Sequence, residues 1–126
     1  MKLFSSDLDR LGMLASQGLR ATRLVVDSGL HTMGWTRQQA IDYMLAHTAS
    51  GRHEVESEVD RYIIFPGQAT AYMIGRLEID AARAEAQQKM GQRFDIKAFH
   101  DRVLEDGGVP LTFLRAKIAS WAGASK

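Results

Sequence analysis

The sequence predicts an all-α fold of about six helices, two of them long, arranged as an antiparallel bundle or array. Apolar residues recur at spacings of three and four over most of the 126 residues, as they do on one face of a helix. Glycines, prolines and capping residues divide this pattern into segments of helical length. No alternating apolar and polar stretch is long enough to favour a strand.

The first long helix is predicted to begin at Ser6. Gly12 and Gly18 lie inside it, and each costs up to about 1 kcal/mol relative to alanine, so we expect close backbone packing there. Gly29 and Gly34 are expected to loosen and end the helix. Its predicted apolar face carries Leu8, Leu11, Ala15, Leu19, Thr22, Val25 and Val26.

Two shorter helices are predicted to follow. The sequence TRQQ at 36–39 has the form of a capping box and so marks the start of the second helix. A polar turn at 48–51 leads into the third helix, which Pro66 is expected to end. The predicted apolar residues are Ala40, Ile41, Met44 and Leu45 in the second helix, and Val55, Val59, Tyr62 and Ile63 in the third.

The fourth helix is predicted to start at Pro66 or Gly67 and to run to about Met90. Asp95 is expected to cap a fifth helix, and Pro110 lies in the first turn of the last one. The predicted apolar face of the fourth helix carries Ala69, Tyr72, Met73, Leu77, Ile79 or Asp80, and Ala84. The two last helices carry Phe99, Val103, Leu104, Leu111, Leu114, Ile118 and Trp121.

Composition indicates a single globular helical domain over residues 1–126. A net charge of +1 gives no sign of nucleic-acid binding or of attraction to an anionic membrane. Without cysteine there is neither a disulfide scaffold nor a thiolate metal site. No apolar run approaches the ~20 residues of a membrane span, and the N-terminus lacks the apolar core of a signal peptide. We therefore expect a soluble chain, although a longer parent protein could be exported.

Polar and aromatic residues gather in two clusters at predicted helix ends. The run DSGLHTMGW at 27–35 combines an acid, two glycines, a histidine and a tryptophan. The run RYIIFPGQATAYMIG at 61–75 places an arginine, two tyrosines and a glutamine around a Pro-Gly break. A third block, FDIKAFHDRVLEDGGVPL, follows at 94–111.

These three blocks, in this order, resemble the C-terminal region of a bacterial family of zinc-peptidase-like proteins, domain of unknown function 885. The resemblance covers essentially the whole chain up to Trp121. It implies a zinc hydrolase in which one helix carries two histidines around a glutamate, so that both imidazoles bind one Zn²⁺. Family members carry that helix upstream of this region, so zinc is implied for a full-length relative.

The metal-binding pattern itself is missing from this sequence. The four histidines are His31, His47, His53 and His100, and no two of them are four residues apart. The nearest match is HEVES at 53–57, which has Ser57 where the second histidine would stand. We interpret it as the polar first turn of a helix, and we expect no metal ligand and no cofactor in this chain.

His31 and Tyr72 are the predicted catalytic residues. By resemblance to zinc peptidases, each would donate a hydrogen bond to a developing oxyanion opposite the metal. Asp27, four residues before His31, could orient the imidazole if the helix continues that far. Alternatively, His31 only complements the dipole at the end of a helix, and Tyr72 packs in the core with its hydroxyl satisfied.

Arg61 and Gln68 are the predicted substrate-binding residues. An arginine fork can hold a substrate carboxylate, and Gln68 lies four residues before Tyr72, on the same helical face. A structural ion pair of Arg61 with Glu58, Glu54 or Asp27 is about as plausible. Tyr43, Trp35, Phe99 and Trp121 are interpreted as packing residues.

Two functional hypotheses follow. In the first, the chain is the C-terminal helical part of a zinc-dependent peptidase-like hydrolase that acts on a peptide-like substrate, and its partner is the upstream metal-binding region. In the second, it is a stand-alone, non-catalytic helical module that binds a partner or a second copy of itself. The isolated chain is not expected to be catalytic, because it lacks the metal-binding helix.

Overall fold

The computed structural model of the chain describes residues 4–124 and confirms the all-α fold. This range contains six α-helices, one short 3₁₀ turn and no strand. The helices are α1 (Asp7–Thr32), α2 (Arg37–His47), α3 (Arg52–Ile64), α4 (Ala71–Met90), α5 (Ile96–Leu104) and α6 (Leu111–Ala124). The chain divides into two compact units between Ile74 and Gly75.

The end of α1 is fixed by Trp35. Helix α1 continues through Gly29 to Thr32, whereas the sequence predicted that Gly29 would loosen it. The amide of Trp35 donates to the Gly29 carbonyl oxygen at 3.0 Å, and the indole ring covers Gly29 so closely that a Cβ there would lie 2.4 Å from a ring carbon. Gly34, with φ +68, turns the chain between α1 and α2. Glycine is therefore needed at position 29 inside the helix, because any larger residue would collide with the Trp35 indole ring.

The other α1 glycines do not show the predicted close packing. A Cβ added at Gly12 or Gly18 would meet nothing within 4 Å. The predicted apolar face is only partly correct, because Thr22 and Val26 are buried while Leu8 and Leu11 are exposed. The first turns of α1, which carry Leu8 and Leu11, therefore lie outside the packed core of the first unit.

Helices α1, α2 and α3 form the first unit as an up-down-up arrangement. The capping box of α2 is present as predicted, with Thr36 and Gln39 binding each other's backbone amides. Thr48, after the end of α2, lines one depression together with Ala15 and Leu19 of α1, so α2 runs antiparallel to α1. The core of this unit consists of Val26, Ala40, Ile41, Met44, Val55, Val59, Tyr62 and Ala69.

Helix α4 differs from its prediction in both its start and its buried face. It begins at Ala71, because residues 66–70 form turns in which Gly67 has φ +80. Its buried residues are Ala82, Ala86 and Met90, whereas the predicted face residues Tyr72 and Leu77 are exposed. Alanines carry little weight in an apolar periodicity, yet their small side chains allow close helix packing. This is why the pattern pointed to the larger residues of the first turns.

The second unit contains the rest of α4 together with α5 and α6. Asp95 caps α5 by accepting a hydrogen bond from the Lys97 amide at 3.0 Å, as predicted. Helix α6 starts directly after Pro110. The core of this unit consists of Ala82, Ala86, Met90, Phe99, Leu114, Ile118 and Ala122. Across the described range 4–124, no helix is long and apolar enough to span a bilayer.

Candidate functional site

The turn before α4 is held by a buried carboxylate. Asp27 is only 3% exposed, and its two oxygens accept from the Gly67 amide at 3.0 and 3.1 Å. The sequence left open that Asp27 could orient His31 if the helix continued that far; the helix does continue, but the carboxylate binds the Gly67 backbone amide. The aspartate therefore fixes the position of the 66–70 turn relative to α1. It thereby also positions Gln68, which lies in that turn, and Tyr72, which lies directly after it.

Tyr72 lies in the first turn of α4 and is 49% exposed. With Gln68 and Ala71 it lines an open depression of about 330 Å³. The guanidinium groups of Arg20 and Arg23 lie over its ring, at 5.6 and 5.5 Å from the centroid. No described residue forms a hydrogen bond with the phenol, so its O–H is available to a ligand.

The candidate surface consists of Tyr72 and Gln68, the three arginines Arg20, Arg23 and Arg61, and Glu58 of α3. Glu58 is the carboxylate at its centre. It accepts from Arg23 Nη2 at 2.8 Å, from Arg61 Nη2 at 2.8 Å and from the Tyr62 hydroxyl at 2.6 Å. Burial raises the pKa of Glu58, but hydrogen bonds from Arg61 and Tyr62 and the charges of both arginines outweigh it and lower the pKa to about 2. Glu58 therefore remains ionised over the whole physiological pH range.

Tyr62 links this network to the core. Its side chain is fully buried, and its hydroxyl donates to Glu58 while accepting from Arg23 Nε at 3.0 Å. Burial and the hydrogen bond to Glu58 both raise the pKa of Tyr62, so it stays a neutral donor. The guanidinium of Arg61 also lies over its ring, at 4.9 Å.

Arg61 makes the ion pair with Glu58 that the sequence had left open as an alternative. Its Nη1 donates to Gln68 Oε1 at 2.6 Å, so the two predicted substrate-binding residues do meet. Because Gln68 accepts through Oε1, its side-chain NH₂ group remains able to donate to a ligand. The substrate role of Arg61 remains a prediction.

His31 is exposed near the end of α1, and its Nε2 lies 3.0 Å from the Tyr62 carbonyl oxygen. A carbonyl oxygen only accepts, so Nε2 carries the proton of this hydrogen bond. In the neutral imidazole Nδ1 is then an acceptor, and it can donate only in the imidazolium. His31 is not among the residues lining the Tyr72 depression. Its hydrogen bond joins the end of α1 to α3, at the residue that follows Arg61.

Two charged members of this surface, Arg20 and Arg23, were not predicted from the sequence, whereas Glu58 was predicted only as one possible partner of Arg61. Arg20 and Arg23 are three residues apart on α1, a spacing that puts both on one helix face and could have been noticed. Their common neighbour Tyr72 is 49 positions or more further along the chain and could not have been identified by spacing. With Arg61, three guanidinium groups share this surface, and Glu58 pairs with two of them, Arg23 and Arg61.

The part of the chain that the structure describes contains no group of three or more histidine, aspartate or glutamate side chains that could hold a metal ion. In the HEVES segment, Ser57 donates its hydroxyl proton to the His53 carbonyl oxygen at 3.0 Å, a bond within α3. The zinc implied by the resemblance for a full-length relative stays a prediction.

The fold and this surface define a helical polypeptide segment that presents a cationic, tyrosine-centred face. The chain belongs to the family described as "Bacterial protein of unknown function (DUF885)", whose model matches residues 1–118. A solved relative is the crystal structure of "the putative lipoprotein from Colwellia psychrerythraea", with 42% identity and a TM-score of 0.90. The match covers 93% of this chain and 20% of the Colwellia chain, so this chain spans about a fifth of that protein. Comparison with curated proteins gives no match.

Proposed function

We propose that this chain is the C-terminal helical part of a zinc-dependent, peptidase-like hydrolase. In this proposal it supplies groups that hold a peptide-like substrate and stabilise negative charge on a reacting carbonyl oxygen, and another region supplies the metal ligands. Family membership over residues 1–118 supports the assignment to a larger protein, as does the coverage of only 20% of the Colwellia chain. The zinc would polarise the carbonyl and activate water.

The observation that carries the proposal is the environment of Tyr72. Tyr72 is half exposed and lines an open depression, and its hydroxyl has no hydrogen-bond partner within residues 4–124. A core tyrosine would have that hydroxyl satisfied, as Tyr62 does. A phenol placed beside two guanidinium groups is suited to donate to an oxygen that gains negative charge.

His31 has a narrower role in this proposal than the sequence suggested. With Nε2 donating to the Tyr62 carbonyl, the neutral ring offers Nδ1 as an acceptor only. We therefore propose that His31 stabilises an oxyanion as the imidazolium, and that it acts beside Tyr72 only once a substrate lies between them. Gln68 and Arg61 border the substrate from the turn before α4.

The test is the change Tyr72→Phe at the matching position of a full-length family member that carries a metal-binding helix. We expect turnover on a peptide substrate to fall by roughly 10²–10³-fold, the usual loss for one oxyanion donor. The matched control is Tyr43→Phe, which removes the hydroxyl of a tyrosine outside this surface. The Tyr43 ring stacks on the His47 ring, with the two centroids 4.1 Å apart. Tyr72→Phe with unchanged turnover, in a protein that folds normally, would refute the role of this hydroxyl.

The second candidate function is a non-catalytic module that binds itself or another helical partner. It is favoured by the exposed leucines in the N-terminal half of α1, where Leu8 is 75% and Leu11 is 61% exposed. Exposed apolar residues grouped on one helix are typical of surfaces covered in an assembly. The upstream region of the parent protein would be such a partner as well, so the two candidates share this observation.

We also propose that full-length relatives are exported, as the description of the Colwellia protein as a lipoprotein suggests. Fractionation of cells that produce the full-length protein would show it in the envelope fraction. Recovery in the cytosolic fraction alone would contradict this.

A further inference from the structure

We infer that Arg20, together with Tyr72 and Gln68, binds a carboxylate of the ligand, such as the C-terminal carboxylate of a peptide. This inference rests on the proposed function for the identity of the ligand as a peptide. The carboxylate-binding chemistry rests on contacts of the described residues alone. Arg20 was not among the predicted substrate-binding residues, which were Arg61 and Gln68.

The three arginines of this surface differ in whether a carboxylate pairs with them. Glu58 accepts from Arg23 and from Arg61, and it is the carboxylate that both of them share. Arg61 is further occupied by Gln68 Oε1. Within residues 4–124, no carboxylate lies within ion-pair distance of Arg20. These three arginines therefore outnumber the carboxylate that pairs with two of them, and Arg20 is the arginine with no carboxylate partner among residues 4–124.

Arg20 keeps some of its hydrogen-bond donors free. Its Nη1 donates to the Ser16 carbonyl oxygen at 2.9 Å and to the Ser16 hydroxyl, both on the preceding turn of α1. These bonds and the contact with the Tyr72 ring hold the guanidinium in one orientation. The N–H groups of Nε and Nη2 form no hydrogen bond with any described residue. One edge of the planar fork is therefore left to bind two oxygens at once, the geometry that a carboxylate offers.

Tyr72 and Gln68 offer two further hydrogen-bond donors. The ring under Arg20 belongs to Tyr72, whose hydroxyl is free, and Tyr72 and Gln68 line the same open depression. Gln68 accepts from Arg61 through Oε1, which leaves its NH₂ group to donate. Two neutral donors thus line this depression, and the Arg20 guanidinium lies over the ring of one of them, 5.6 Å from its centroid. An anion bound there would also reduce the repulsion between Arg20 and Arg23, which both lie over one ring.

The test uses the 126-residue chain and a small peptide as the probe. We would titrate ¹⁵N-labelled protein with N-acetyl-trialanine as the free acid, as the C-terminal amide, and with inorganic phosphate, in buffer free of other carboxylates and phosphates. We expect the free acid to shift the Gln68 and Tyr72 resonances and the amide to leave them unchanged. Binding of phosphate alone would show a general anion site and would overturn the assignment to a peptide carboxylate.

Variants separate Arg20 from the general charge of the surface. Arg20→Gln should weaken binding of the free acid by about tenfold or more, and Arg20→Lys should recover only part of it, because lysine keeps the charge without the fork. The matched control is Arg52→Gln, which removes an exposed arginine paired with Glu56 on α3 and should change the affinity by less than about twofold. Equal affinity of the Arg20→Gln and parent chains would overturn the inference.

The outcome is separable from the proposed function. Carboxylate binding is measured on this chain without any turnover, whereas the proposed function is tested by turnover of a full-length relative. If Tyr72→Phe leaves turnover unchanged but Arg20 still binds the acid, the hydrolase proposal fails and the binding site stands. If Arg20→Gln binds normally but Tyr72→Phe loses turnover, only the carboxylate assignment fails.

Discussion

Glu58 shows how one residue of the candidate site can couple the stability of the fold to pH. Three donors, from Arg23, Arg61 and Tyr62, converge on a carboxylate that is 21% exposed. A carboxylate held this way is far more acidic than it would be in the unfolded chain, where its pKa is near 4.5. Because ionised Glu58 binds both Arg23 and Arg61, its ionisation also holds these two side chains in position on the surface.

The first residue-scale prediction follows from this pKa. Because the folded pKa is lowered from 4.5 to about 2, the stabilisation is fully present above about pH 4.5 and is lost as the pH falls toward 2. After allowance for solvent screening, we expect it to amount to about 1–2 kcal/mol. Urea unfolding of Glu58→Gln between pH 2 and 7 should show lower stability at neutral pH and a flatter acid limb.

The control for Glu58 is Asp60→Asn, which removes the partner of Arg37 in an ion pair whose two side chains are each about half exposed. Its effect on the unfolding free energy should be much smaller, because exposed ion pairs are screened by water. An acid limb as steep in Glu58→Gln as in the parent chain would contradict the assignment of this titration to Glu58.

The second residue-scale prediction compares two glycines of the same helix. Gly29→Ala places a methyl group 2.4 Å from a carbon of the Trp35 ring, which must move, and should cost about 1–3 kcal/mol. Gly18→Ala meets nothing within 4 Å and should stabilise the helix by about 0.5–1 kcal/mol. Thermal unfolding of both variants measures this. A Gly29→Ala chain that is as stable as the Gly18→Ala chain would show that the Trp35 indole does not pack against Gly29.

At the scale of elements, the 66–70 turn depends on a hydrogen bond from another helix. Asp27→Ala would remove the buried carboxylate that accepts from the Gly67 amide, at a cost of about 1–3 kcal/mol. We expect the Gly67 amide to lose protection in hydrogen exchange and the Tyr72 side-chain resonances to broaden. Asp27→Asn keeps one acceptor oxygen and should retain most of the protection. An unchanged Gly67 exchange rate in Asp27→Ala would contradict this role.

The sequence predicted the elements well where the signal was local. The capping box at Thr36 and Gln39, the Asp95 cap and the start of α6 after Pro110 all depend on residues within a few positions of each other. The start and buried face of α4 were wrong. In that helix the turn is held by Asp27, which is 40 residues distant, and the packed residues are mainly alanines.

The candidate site shows the same distinction. Helical spacing identified Gln68 beside Tyr72 and identified Glu58 as one possible partner of Arg61. It could not show that Asp27 binds Gly67 in place of His31, since that choice depends on the path of the turn. Nor could it place Arg20 over Tyr72, because the contact joins two helices.

At the scale of the whole molecule, the predicted functional residues all lie in the first unit. His31, Arg61, Gln68 and Tyr72 precede Gly75, where the second unit begins. The second unit has its own core and its own ion pairs, such as those of Arg115 with Glu78 and Glu85. Helix α4 starts in the first unit and contributes its buried residues to the second. The proposed chemistry therefore belongs to α1, α3 and the first turn of α4.

The last prediction concerns self-association of the chain. Leu8, Leu11 and Leu14 follow one another at spacings of three along α1, and each is at least half exposed. Burying such a row against a second copy removes apolar surface from water, so we expect a dimer or higher oligomer at micromolar concentration, with α1 in the contact. Sedimentation velocity should show association that Leu11→Glu abolishes and that Leu104→Glu, at an exposed leucine of α5, leaves unchanged. A parent chain that remains monomeric across this range would show that α1 does not mediate association of this chain with itself.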